Sequence, residues 1–493
     1  MYSVSQPVET DRSSLLRIGF IASIGLALLV TAFFLAERRP GQDWGGDFAL
    51  YISHARNLSE GRPYASTGYI VDPYFRSLSP ATYPPLFPLV LAPLFARYGL
   101  DYQILKIPGI LFFAGTIPVF FCLARRRLPV VRALVITVLW AAWPFALSFK
   151  DLILPDFLYL LLWMLTIWVV ERAYENPAES GTAGAALLAG ILMFGAYATR
   201  SAGIVAPVAV IAYDCVRFRK ISRFGLISVG TFGVLFVGQN VLIHNESSYL
   251  QMFTLDFVKT AGIYQYALST VLTTESAGWI RVVRLVATAG MTLFAVLGFA
   301  LHFRRFRSPA ETILAAYLLL LLLWSSGAGN RYFMPLVPFL FIYMALGLQE
   351  LRDLAFRHMA FSAEWALAAL ILICYGAEYA KFQPGPIPGG ISTSGFADLC
   401  QYIEDHTNRD DVFIYENPRV LSLYTGRSAA VYPESGDPQL MWDFSRSVHA
   451  RYLVATNFLA ADEQVTSRFL QQFGSGLRLT YSNANFRLYA FAE

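Results

Sequence analysis

Gly46-Asp47-Phe48-Ala49-Leu50-Tyr51, continuing through Ala55, Leu58 and Gly61 to Tyr83-Pro84-Pro85-Leu86, follows directly on the first of a long series of apolar runs. An acidic residue therefore stands at the lip of a membrane helix, with a polar loop carrying several Arg and Tyr behind it. Ionisable groups at a membrane boundary cost free energy to desolvate, so in a chain this apolar they mark a site.

The rest of the composition agrees with a membrane setting. Of 493 residues, 56% are hydrophobic and only 15% charged, against about a quarter charged in soluble proteins. Nine Trp and 27 Tyr suit interfacial belts, where amphipathic rings settle. The formal net charge of +4 is too small to suggest nucleic acid as a partner. Cys122, Cys215, Cys374 and Cys400 form no CxxC or metal-spaced pair, and three fall in apolar runs, so they read as packing residues.

Runs of spanning length recur at 16–36, 107–124, 130–148, 154–170, 183–199, 202–216, 224–243, 285–301, 311–326, 333–348 and 363–380, which predicts about eleven helices. The first reads as a retained signal anchor, with Arg12 and Arg17 before it. Basic clusters fall between alternate spans: Arg125 to Arg127 with Arg132; Arg217, Arg219, Lys220 and Arg223; Arg304, Arg305 and Arg307; Arg352 with Arg357. The positive-inside rule places these, and the N-terminus, in the cytoplasm. Asp47, Lys150-Asp151, Arg200, Asn330-Arg331 and the C-terminal tail then share the outer face. Arg38 and Arg39 run against this assignment. Pro84 to Ala96 is too short and too rich in proline to cross, and reads as a re-entrant or interfacial element.

Residues 244–284 form a polar-aromatic outer loop, expected to carry a short surface helix that acts as a lid. A Pro/Gly-rich linker over 381–392 separates a transmembrane domain (1–380, with its extracytoplasmic loop at 37–106) from a soluble-looking segment at 393–493. In that segment helical patterns at 396–406, 440–448 and 463–473 alternate with strands at 412–415, 452–455, 477–481 and 486–491, predicting a small α/β domain. The fold class is thus a polytopic α-helical membrane protein with a small C-terminal α/β extracytoplasmic domain.

The spacing Asp47, Tyr51, Ala55, Gly61, closed by Tyr83-Pro84-Pro85-Leu86, resembles the first extracytoplasmic loop of the GT-C membrane glycosyltransferases. The nearest likeness is to bacterial relatives of protein O-mannosyltransferases and lipid A aminoarabinose transferases. Asn330-Arg331-Tyr332-Phe333-Met334-Pro335 is similar to their R-Y-x-x-P element. The resemblance implies transfer of a sugar from a polyprenyl-phosphate donor to a glycan, lipid or protein acceptor by an inverting displacement. It places the protein in the bacterial cytoplasmic membrane, the C-terminal domain periplasmic and membrane lipid around it. It admits a divalent metal as cofactor without requiring one, since the carboxylates are sparse. Two departures separate the chain from both activities. Tyr83 stands where the aminoarabinose branch carries Lys, and Phe48 follows Asp47 where the mannosyltransferases have a second acid.

Such a transfer needs a base for the acceptor hydroxyl and cations for the departing phosphate. Asp47 is the candidate base, with a helix N-cap as its other role. Desolvation at the lip should raise its pKa, and nearby Arg would oppose that. Asp156, after Pro155 at a helix start, is divided between substrate contact and capping. Arg200, in a tight turn, is divided between substrate contact and snorkelling; Arg331 is divided between carrier phosphate and helix-end anchoring. Arg76 is the replacement cation in the loop. Tyr51 and His54 could touch the sugar, with packing the favoured role of Tyr51, and Tyr83 is counted among the substrate-binding residues. Lys150-Asp151 reads as a solvated interfacial pair, and Glu416, Asp437 and Asp443 as surface acids. No nucleotide-binding or zinc-protease motif occurs. One other reading, a transporter or flippase, would carry polar groups near the midplane and often internal repeats, where this chain gathers its ionisable residues at one interface. Another, an inactive transferase-derived scaffold, is admitted by the missing Lys and second acid, and the intact Asp47 weighs against it.

Overall fold

The computed structural model describes residues 9–75, 80–175, 183–243, 255–324, 329–353, 357–387, 391–458 and 460–492. Arg76, residues 244–254 of the 244–284 loop and residues 388–390 of the Pro/Gly linker lie outside the described residues.

Every run expected to span coincides with a helix, because a backbone in hydrocarbon must satisfy its own hydrogen bonds. Seven described helices are long and apolar enough to cross a membrane, and Val130–Ala141, Ala183–Thr199 and Pro309–Leu322 are shorter apolar ones. The run at 130–148 is broken: Val130–Ala141 stops before Trp143, and Pro144 starts a second short helix, Pro144–Phe149. The helix expected at 285 begins earlier, at Gly278. Leu86–Tyr98, a helix of 13 residues with Pro93 inside it, is a fourth short apolar helix. Where two long helices meet, Gly298 and Gly347 let the backbones touch: a Cβ on either would stand 2.1 or 2.0 Å from a carbonyl oxygen of the facing helix. The four cysteines are free.

The Asp156–Glu175 helix sets the distance between the two ends of the bundle, about 30 Å for 20 residues. Asp156 opens it, and its last turns carry Glu171 and Glu175, paired with Arg126 and Arg127. The basic cluster that the charge pattern sets apart from Asp47 is therefore at the far end from Asp156.

The C-terminal segment folds as expected, with helices Ser394–His406, Pro438–Ser447 and Ala460–Phe473 beside strands β2 (Val412–Ile414), β4 (Ala450–Thr456), β5 (Leu477–Ser482) and β6 (Phe486–Phe491). Three elements are additional. Pro418–Thr425 is a helix, Ser428–Ala430 is strand β3, and Tyr69–Ile70, from the loop after the first span, is strand β1. The sheet order is β1-β3-β2-β4-β6-β5, parallel from β1 to β4 and antiparallel beyond. The loop of 37–106 is thus hydrogen-bonded into the C-terminal sheet. Trp44 reinforces the join, its ring 5.3 Å from both Phe396 and Phe458, and its indole N–H donates to Glu416.

Two local readings change. Lys150 and Asp151 are buried, not solvated: Lys150 Nζ donates to Asp151 at 2.6 Å and to the Glu37 carbonyl at 2.7 Å, and Asp151 accepts from the Arg39 N–H at 2.9 Å. Arg38 and Arg39, which run against the charge pattern, both have fixed acceptors. Arg38 donates to the Gln103 carbonyl at 2.7 Å; Arg39 donates to those of Gly385 and Pro386 at 3.1 Å, tying down the linker.

Candidate active site

Asp47 is the first residue of the helix Asp47–Ser59, and the preceding Gly46 makes no side-chain cap. Its carboxylate is aimed away from the helix end. Oδ2 accepts from Arg331 Nη1 at 2.6 Å, and Oδ1 accepts from the Tyr83 hydroxyl at 2.8 Å and Arg419 Nη1 at 3.0 Å. Capping is therefore not what this carboxylate does.

Residues i, i+4 and i+7 share one face of a helix, so Asp47, Tyr51 and His54 face the same neighbour. That neighbour is Tyr83. The rings of Tyr51 and Tyr83 stack with centroids 4.4 Å apart. His54 Nε2 accepts the Tyr83 N–H at 3.2 Å, while Nδ1, 2.8 Å from the Tyr64 carbonyl, carries the proton and donates. The Tyr64 hydroxyl closes the clamp by donating to the Tyr83 carbonyl at 2.8 Å. Burial pushes the His54 imidazole down to about 4, which keeps it neutral and keeps Nε2 an acceptor. His54 holds the ring that touches Asp47 and makes no contact of its own with that carboxylate.

Asp156 also begins a helix, and it is almost fully buried. Its oxygens accept from Arg331 Nη2 at 3.1 Å, from Arg331 Nε at 3.4 Å and from Arg200 Nη1. Arg200 lies over the Tyr332 ring, 4.6 Å from its centroid. Arg331 thus spans both acids with one planar fork, which Lys could not do. Of the expected residues, Asp47, Asp156, Arg200, Arg331, Tyr51 and Tyr83 come together.

Arg419 is the member the sequence reading missed. It is the second residue of the Pro418–Thr425 helix, is 7% exposed, and also donates to the Tyr83 hydroxyl at 3.0 Å. Its approach needs Gly46: a Cβ there would stand 2.7 Å from Asn417 Oδ1 and 2.8 Å from Arg419 Nη2. Glu416 is likewise no surface acid. It is mostly buried beside Trp44, and burial raises it to about 7. Asp437 caps a helix through the Leu440 N–H, and Asp443 is exposed beside Gln439.

The charges decide the state of the base. Burial on its own would raise the Asp47 pKa, but Arg331 and Arg419 outweigh it and hold the carboxyl well below its usual range. The expected upward shift is not found. Two carboxylates pair with three guanidiniums, and a third acid, Asp43, lies within electrostatic reach of Asp47 and Arg331.

Beside Arg331 opens a cavity of about 710 Å³, walled by apolar side chains such as Phe145, Phe149, Leu152 and Ile263, with Lys259 on its lining. Lys259 belongs to the helix Phe257–Ser269, a short helix within the outer loop expected at 244–284. A divalent metal does not fit the acids. Arg331 already fills the space between Asp47 and Asp156, and no group of three or more His, Cys, Asp or Glu is gathered for a metal among the described residues.

No protein-family profile matches the chain, and no curated protein matches it by sequence. Solved structures do match in shape. ArnT from Cupriavidus metallidurans bound to undecaprenyl phosphate superposes with a TM-score of 0.54 at 13% identity, over 95% of this chain and 97% of that one. The Archaeoglobus fulgidus oligosaccharyltransferase tethered with an acceptor peptide gives 0.57 at 12% identity, over 96% of this chain and 74% of that one. The archaeal oligosaccharyltransferase AglB with an inhibitory peptide and a dolichol-phosphate gives 0.57 at 12% identity, over 89% and 69%. At 12–13% identity these likenesses establish a shared fold: the chain is folded like ArnT and the archaeal oligosaccharyltransferase.

Proposed function

We propose that the protein is a glycosyltransferase that moves a sugar from a polyprenyl-phosphate donor to an acceptor hydroxyl at the extracytoplasmic face of a bacterial cytoplasmic membrane. The observation that carries this reading is Arg331, which touches the Asp47 carboxylate and also lines the apolar cavity. One side chain thus joins a base to a place where a lipid tail can lie.

In this reading the cavity takes the first isoprene units of the carrier, and Lys259 and Arg331 meet its phosphate. The guanidiniums of the site suit a phosphodiester monoanion. Asp47 takes the proton from the acceptor hydroxyl while that oxygen attacks the anomeric carbon. The bond from that carbon to the phosphate oxygen breaks, its electron pair leaves with the polyprenyl phosphate, and the guanidiniums receive the developing charge. Inversion at the anomeric carbon follows from a single displacement. Asp156 keeps Arg200 and Arg331 in place, the Tyr83 hydroxyl steadies Asp47 with the Tyr51 ring stacked behind it, and Arg76 is assigned to the same loop on sequence grounds. The acceptor is a glycan, a lipid or a protein. The fold is shared with proteins bound to undecaprenyl phosphate and dolichol-phosphate, which fits this donor class.

The test is turnover of purified protein with a panel of labelled polyprenyl-phosphate sugars and cell-envelope acceptors. Release of free polyprenyl phosphate coupled to labelling of an acceptor is the expected result. Transport of the intact lipid-linked sugar across a vesicle membrane without its cleavage would contradict it.

A further inference from the structure

Two acids drawn from different helix starts and placed close together repel each other unless a cation stands between them. Here that cation is part of the chain. Arg331 Nη1 is 2.6 Å from Asp47 Oδ2, and its Nη2 and Nε are 3.1 and 3.4 Å from the two oxygens of Asp156. The remaining Asp47 oxygen is taken by Arg419 and Tyr83, and Asp156 takes a further bond from Arg200.

We propose that Arg331 occupies the place a divalent cation would take between Asp47 and Asp156, so that this acid pair binds no metal and sugar transfer here is metal-independent. The transfer half of this inference rests on the function proposed above; the binding half does not. Three observations support it. All four carboxylate oxygens already have a cationic donor. A divalent ion needs about six oxygen ligands, and no group of three His, Cys, Asp or Glu is placed to hold a metal among the described residues. Finally, an ion entering between the acids would lie against three guanidiniums that bear the same sign of charge. A guanidinium also does what a metal does for a leaving phosphate, since its fork can give two parallel hydrogen bonds to an anion.

The test is Mn²⁺ uptake by the full-length protein in detergent, read by electron paramagnetic resonance. Wild type and Asp47→Asn should take up the same Mn²⁺ at millimolar concentration. Arg331→Ala, which leaves the acid pair without its bridge, should gain one Mn²⁺ that Arg331→Ala/Asp156→Asn lacks. A wild-type Mn²⁺ site lost in Asp47→Asn would overturn the proposal, and so would an Arg331→Ala protein that gains none. Transfer by wild type should be unchanged in excess EDTA, and its abolition with rescue by Mn²⁺ would overturn metal independence. Because Mn²⁺ uptake is measured without any sugar, failure of the transfer reading shows separately from failure of the cation reading.

Discussion

Arg419 Nη1 donates to Oδ1 of Asp47 across 3.0 Å, joining residues 372 positions apart. The contact places a charge from the C-terminal segment on the candidate base. It is supported from both sides, by β1 pairing with β3 and by the Trp44 anchor.

Arg419→Ala is expected to slow transfer about 10- to 100-fold, as loss of an electrostatic contact in a catalytic site does. It should also change the pH profile. Removing a cation that depresses the Asp47 pKa raises that pKa, so the acid limb of the rate profile moves to higher pH. A lower rate with an unmoved acid limb would reduce Arg419 to a packing role.

Gly46→Ala should separate the C-terminal segment from the base while leaving the spans inserted. The added Cβ would meet Asn417 and Arg419 at 2.7 and 2.8 Å. We expect transfer to fall about tenfold, by the displacement of a positioned group, and the C-terminal segment to become more sensitive to limited proteolysis. Unchanged activity and unchanged cleavage would mean that the corner yields.

His54→Gln addresses the clamp on Tyr83. The Tyr83 N–H loses a well-placed acceptor in a buried site, which should destabilise the protein by about 1–3 kcal/mol. The pH dependence has a defined sign. Because the folded imidazole is held at about 4 against 6.5, the unfolded chain binds the extra proton first as pH falls. The wild type therefore loses stability from about pH 6.5 down to about 4, and His54→Gln should flatten that slope. Thermal melts across this window check both effects.

Glu416→Gln tests the Trp44 anchor with the opposite sign. The folded Glu416 carboxyl is raised to about 7 from 4.5, so the folded state holds its proton more tightly than the unfolded. Stability is lost as pH rises through that interval. A glutamine amide at this position has no charge to bury, and the loss over that interval should shrink in melts of the variant.

The helices were legible because lipid exposure writes a long apolar run into each one, and the break at Trp143-Pro144 and the early start at Gly278 are local departures. The early start was hidden by Arg281 and Arg284, which interrupt the run although Arg284 is buried. Asp47 and Tyr51 were legible from their spacing, and Tyr83 as the close of its loop, whereas the contact of His54 with Tyr83 was not. Arg419 was not, because a two-residue strand and an eight-residue helix carry no periodicity from which to place it. Lys150-Asp151 misled for a related reason. A polar pair between apolar runs looks solvated until the backbone of Glu37 to Arg39 is brought over it.

The most direct measurement is the rate of labelled-sugar transfer by wild type and Asp47→Asn, each shown to be inserted and folded. Replacing the carboxylate by an amide keeps its shape and removes its basicity, so the rate should fall by about 100-fold or more. Transfer by Asp47→Asn at the wild-type rate would contradict the account and leave Asp47 as a structural partner of Arg331 and Arg419.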